Sequence, residues 1–131
     1  MTIAQDFYTY VTANSAIDAL VSDRIYPHVI PQHEGDRPCI TFNVSGDDDI
    51  LLISGGRSDT RIAEIEVNCW APRYLDARSL ADTFRRELVG VRGSFGSSTA
   101  ESVRIQNDFD GPFDDDSNLY RVTLRFQIYH C

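Results

Sequence analysis

Arg121-Val122-Thr123-Leu124-Arg125-Phe126-Gln127-Ile128 is an unbroken alternation of polar and apolar residues. Val122, Leu124, Phe126 and Ile128 fall on one side and Arg121, Thr123, Arg125 and Gln127 on the other, the period of a β-strand with one buried face. A strand this regular belongs inside a sheet. The pattern recurs from Arg61 to Trp70, where Ala63, Ile65, Val67 and Cys69 alternate with Glu64, Glu66 and Asn68. Two such strands fix the core side of the sheet and leave its other side facing water or a partner.

The remaining elements are built around that sheet. Leu75 to Val89 reads as a helix because Ala77, Leu80, Ala81, Phe84 and Leu88 repeat at helical spacing, and Gly90 follows as its stop. From Ile3 to Val21 the apolar residues also recur at helical intervals, interrupted at Asn14-Ser15, so two helical pieces are expected. Ser15 with Asp18 three positions later resembles a capping box that would start the second at Ala16. Asp23 to Pro31 reads as an extended segment with two prolines, and His33 to Pro38 as a loop. Cys39 to Ser45 reads as a strand, Gly46 to Asp49 as an acidic hairpin tip, and Ile50 to Ser54 as its return. Gly93 to Thr99 reads as a flexible loop, Ser102 to Phe109 as a strand, and Asp110 to Asn118 as an acidic turn. The expectation is one α+β domain over residues 1–131, with a mainly antiparallel sheet and two or three helices packed on one face.

Composition excludes several function classes. Apolar residues at 42% and charged residues at 24% are those of a folding globular chain. The net charge of -8 repels a phosphate backbone, which disfavours nucleic-acid binding. All 12 basic residues are arginine, so a Walker-type phosphate loop, a Schiff-base lysine and a lysine general base are ruled out together. No apolar run approaches the roughly 18 residues of a membrane span, and Met1 to Tyr8 lacks a signal-peptide layout, so a soluble chain that stays where it is made is expected. The 3 cysteines include no C-x-x-C pair, and Cys39 and Cys69 sit in apolar runs, the setting of buried reduced thiols.

Catalytic and metal constellations are not found. His28, His33 and His130 fall in a proline-flanked segment, a loop and the terminus, with no nucleophile elbow to serve. The adjacent Cys131 offers a thiol–imidazole pair only at a chain end that usually frays. Asp108, Asp110, Asp114, Asp115 and Asp116 form an acidic cluster, but aligning Asp110-Gly111 with an EF-hand loop puts Gln106 at its first position and Ser117 at its twelfth. Both required carboxylates are missing, and a solvated turn is the better reading. Gly90-x-x-Gly93-x-x-Gly96 follows a helix and has the wrong spacing for a dinucleotide fingerprint. No cofactor, metal or catalytic residue is assigned. Asn43-Val44-Ser45 is a glycosylation triplet without a secretory route.

Several short stretches, in order, carry a resemblance. They are Ala16-Ile17-Asp18-Ala19-Leu20-Val21 into Asp23-Arg24-Ile25-Tyr26-Pro27, then Pro31-Gln32, Arg37-Pro38-Cys39-Ile40-Thr41-Phe42 and Trp70-Ala71. Tyr74, Ala77, Leu80-Ala81, Arg85 and Leu88 follow, and Leu119-Tyr120-Arg121-Val122-Thr123-Leu124 completes the set. With these the chain resembles the small tail-completion or tail-terminator proteins of long-tailed phages and of particles such as gene-transfer agents. It departs from them at Cys39, where relatives often carry an aromatic, and at Tyr129, where they often carry tryptophan; both are packing positions.

The resemblance implies a hexameric ring at the head–tail junction of a phage-like particle assembled in the host cytoplasm. That ring would cap the tail-tube protein, stop its polymerisation and meet the head connector or stopper. DNA would pass through the lumen without specific binding, and Asp47, Asp48 and Asp49 are the candidate acidic lining, with a merely soluble turn as the alternative. A ring subunit needs head-to-tail contacts, for which Glu64, Glu66, Trp70, Arg121, Arg125 and Tyr129 on the polar strand faces are candidates, with Tyr26 as a further contact. The alternative for those faces is an ordinary solvated sheet surface within one subunit. A non-enzymatic structural role is the expectation. The alternatives are a neck connector or stopper protein, and a ligand-binding or enzymatic dimer with a pocket between helix and sheet, which the missing His, Cys or Lys constellation disfavours.

Overall fold

The computed structural model describes residues 3–21, 24–27, 38–51, 57–95, 98–111 and 119–130. Among them the chain order is α1 (Ile3–Ala13), α2 (Ser15–Val21), β1 (Ile25–Pro27), β2 (Cys39–Leu51), β3 (Arg57–Ala71), α3 (Tyr74–Leu88), β4 (Gly93–Phe95), β5 (Ser98–Asp110) and β6 (Tyr120–His130). These strands form one sheet in the order β1-β2-β3-β6-β5-β4. Every neighbouring pair is antiparallel except β1 and β2, which run parallel. The expected α+β class, mainly antiparallel with helices on one face, is what the chain adopts.

The sheet buries the side that the alternation marked. Ala63, Ile65, Val67 and Cys69 of β3 and Val122, Leu124, Phe126 and Ile128 of β6 are fully buried. β6 lies between β3 and β5 and is paired along its length on both edges, as its regular pattern required. Helix α3 crosses this side and buries Ala77, Leu80, Ala81, Phe84 and Leu88. Phe84 meets Phe126 at 6.1 Å and Phe7 of α1 at 6.1 Å, and Phe7 in turn meets Phe42 of β2 at 5.2 Å. Each such ring contributes roughly 1.5–3 kcal/mol by leaving water, so this chain of rings is the main tie between both helices and the sheet. Gly90, at φ +87°, ends α3 in a conformation that other residues adopt at a cost.

The two N-terminal helices break where expected, but the cap sits one residue earlier. Asn14, not Ser15, accepts the free amides of Ala16 and Ile17 on its side-chain oxygen, at 3.0 and 3.2 Å. Asparagine is as good a cap as serine, and its extra reach spans two donors.

Two loop readings are corrected. Residues 46–49 are not a hairpin tip: β2 continues through them to Leu51 and pairs with β3, with Asp47 opposite Ala63 and Asp49 opposite Arg61. A bulge at Ser45 shifts the register so that Gly46 pairs with Glu64, and residues that favour turns in isolation are carried by pairing to a long neighbour. The return strand is therefore β3 and not Ile50 to Ser54, of which residues 52–54 lie outside the described set. Gly93 to Phe95 likewise forms β4, the edge of the sheet, paired with Ser98 to Ala100. His130 is also not frayed, being buried and paired on both sides as the last residue of β6. Cys131, His28, His33 and the aspartates at 114–116 lie outside the described residues. Among the described residues no helix is long and apolar enough to cross a membrane.

Candidate functional site

The side of the sheet away from the helices gathers most of the polar residues marked in the sequence. Trp70 of β3 stands opposite Arg121 of β6, and the guanidinium lies over the indole ring at 5.5 Å from its centroid. Trp70 donates its ring N–H to Thr41 Oγ1 at 2.9 Å, and Thr123 donates its hydroxyl to Asn68 Oδ1 at 2.7 Å. These contacts bury Thr41 and Thr123, at 2% and 1% exposure, on the side of the sheet the helices leave uncovered. Arg121 Nε is itself buried without a hydrogen-bond partner. Gly111 explains its placement: a Cβ there would collide with the Arg121 guanidinium, while the Gly111 amide donates to the Arg121 carbonyl at 2.9 Å.

Farther along the same side, Glu66 stands opposite Arg125, Glu64 opposite Gln127 and Ile62 opposite Tyr129. Gln106 reaches Glu64 at 3.5 Å, and Arg104 of β5 lies over the Tyr129 ring at 5.6 Å. The six interface candidates of β3 and β6 are thus brought together on one surface, and the Trp70–Arg121 contact forms within a single subunit. Asp47, Asp48 and Asp49 lie elsewhere, in the outer half of the β2–β3 hairpin; their side chains are outside the described set.

Tyr26 stands at the border of this surface, in register with Thr41. It sits on the edge strand β1 and, with Ile25, Pro27 and Phe42, lines an open groove of about 690 Å³ against Ala4 and Tyr8 of α1. This lining is mostly apolar and carries no carboxylate, imidazole, thiol or guanidinium, so the groove suits packing rather than chemistry.

A bulge between Ile105 and Asn107 builds one cluster that the sequence did not suggest. The extra residue reverses the alternation and turns Asp108 and Asp110 toward α3. Arg78 donates to both, at 2.7 Å each, and Arg85 reaches Asp108 at 3.1 Å. Tyr74 donates its hydroxyl to Asp110 at 2.9 Å. The hydrogen bond to Asp108 raises the Arg78 pKa still further above its usual range. Two members of the acidic cluster are therefore held by arginines rather than left for a metal. The seven-residue spacing of Arg78 and Arg85, which puts them on one helix face, was the available signal.

Other chemistry is sparse among the described residues. They contain no group of three or more His, Cys, Asp or Glu that could hold a metal. Cys39 and Cys69 are buried thiols outside any disulfide, and burial pushes the Cys69 thiol far above the range of a reactive cysteine.

Comparison with known proteins agrees with the architecture. The profile of the family described as Tail completion protein gp17 matches residues 5–130. Among solved structures, a chain of the virion of a native gene transfer agent particle is similar with a TM-score of 0.68 and 15% identity, over 98% of this chain and 90% of that one. At that identity the likeness is one of fold. No curated protein gives a significant match. The family match runs from within α1 to the end of β6, and the chain belongs to the Tail completion protein gp17 family.

Proposed function

We propose that this protein is a structural ring subunit at the head–tail junction of a phage-like particle, where it caps the tail tube, stops its polymerisation and joins it to the head connector. The observation that carries the reading is the family match across residues 5–130. The likeness in fold to a chain of a gene transfer agent virion supports it.

The mechanism is steric. A subunit that covers the last ring of tube protein and offers no further copy of the tube's own surface ends growth by shape alone. Ring closure needs a heterologous contact repeated around an axis. The uncovered sheet surface bearing Glu64, Glu66, Trp70, Arg121, Arg125 and Tyr129 and the groove beside Tyr26 are two distinct patches for it. A hexamer is the expected ring. DNA must slide through the lumen without sticking, and a chain of net charge -8 favours that. Asp47, Asp48 and Asp49, carried outward on the β2–β3 hairpin, are proposed to line it.

Deleting the gene from its particle-producing strain and imaging the released particles tests the reading. Over-long or unjoined tails beside filled heads are expected. Heads that lose their DNA would point instead to a stopper of the neck, and normal particles would overturn a tail role.

A further inference from the structure

The strand register supplies Arg121 with no counter-charge. Opposite it on β3 stands Trp70, and diagonal to it Asn68, which pairs with Thr123. On its other edge the Gly111 amide meets its carbonyl, and Phe109 of β5, also opposite Thr123, is the second diagonal neighbour at about 7–8 Å. None of these four neighbours is acidic.

Other arginines are provided for. Arg78 and Arg85 are engaged by Asp108 and Asp110, and Arg24 donates to the carbonyls of Pro38 and Leu20. Arg125 is exposed to water and faces Glu66. Arg121, by contrast, is half-buried, its Nε is enclosed without a hydrogen-bond partner, and its guanidinium lies over the Trp70 ring at 5.5 Å. Withdrawing a guanidinium from water without an anion is unfavourable, and a stack on one indole offsets only part of that. Gly111 holds the arrangement open, because a Cβ there would fall on the guanidinium.

We infer that Arg121 anchors a carboxylate-binding site whose ligand is an acidic side chain on a peptide segment of a partner protein. A guanidinium whose plane is fixed by a stack is preorganised for the two parallel N–H···O bonds that a carboxylate accepts. The flanks select a peptide over a free anion. Phe109 is 43% exposed and Trp70 is only half-buried, so an apolar residue next to the acid has a ring to pack on. A net charge of -8 opposes a DNA phosphate as the anion. The inference concerns one chain and its ligand and does not depend on the ring reading above.

Trp70 is the single tryptophan of the chain and reports on the site directly. Titrating the wild-type protein with a capped tripeptide of glutamate between two leucines should change its fluorescence saturably, with calorimetry as the second readout. The same peptide with glutamine in place of glutamate should bind about tenfold more weakly, since the hydrogen bonds to a charged acceptor are lost. Arg121→Gln should abolish the preference for glutamate, whereas Arg104→Gln and Arg125→Gln should keep it. In the free protein Arg121→Gln should leave the urea midpoint near its wild-type value, because release of the unpaired Nε offsets the lost stack. Absence of saturable binding, equal binding of the two peptides, or loss of the preference in all three variants alike would overturn the inference. So would a clear fall in the midpoint, which would make the charge part of the fold. Acetate or inorganic phosphate binding as tightly as the glutamate peptide would also overturn it, by making this a site for free anions.

Discussion

The two sides of the one sheet are finished to different degrees. On the helix side Phe7, Phe84 and Phe126 close over residues that are all buried, and the ionic cluster of Arg78 and Asp108 seals the rim. On the other side Thr41 and Thr123 are buried in hydrogen bonds with Trp70 and Asn68, while Arg104 and Arg125 remain exposed. Stability is concentrated on the first side, and the second is the surface proposed for recognition. A change on the helix side should therefore be read in unfolding, and a change on the open side in assembly.

The contrast fails if Phe84→Ala is mild. That substitution should cost about 3–5 kcal/mol in urea denaturation, because it opens a cavity where α1, α3 and the sheet meet. A loss near 1 kcal/mol would mean that the ring chain is not the main tie. Arg78→Gln should cost about 1–2 kcal/mol by the same measurement, discounted for the partial exposure of the pair. Gly111→Ala sharpens the picture of the open side. It should push Arg121 off Trp70 at a cost of about 1 kcal/mol, and the same change in an Arg121→Ala background should cost almost nothing further.

The smallest effect is a dependence on pH. Burial raises the pKa of Cys69 in the folded chain, so above about pH 8.5 the unfolded chain releases a proton that the folded one keeps. Stability from this thiol is complete below that pH and declines as pH rises from there toward the folded value. Denaturation at pH 7 and pH 9.5 should show a decline that Cys69→Ala reduces; an equal decline in the variant would contradict the assignment.

Legibility in the sequence followed the same division. The alternating apolar positions of β3, β6 and α3 were visible, because burial against a helix layer imposes a strict period on side chains, whereas the burial of Thr123 and His130 was not. The extent of β2 was hidden, since Gly46 and three aspartates signal a turn locally and only pairing with β3 overrides it. The Arg78–Asp108 cluster was hidden by the bulge after Ile105, which leaves no mark on composition. The polar residues of the open side were identified one by one, but their grouping on one surface depends on strand order, which puts β6 beside β3 although α3, β4 and β5 intervene in the chain.

The proposed place in the particle is checked by reconstructing the head–tail junction by cryo-electron microscopy. A ring of copies of this fold is expected between the last ring of tube protein and the head connector, with the outer β2–β3 hairpin directed at the lumen. Density for this fold elsewhere in the particle, or a junction built without it, would contradict the account.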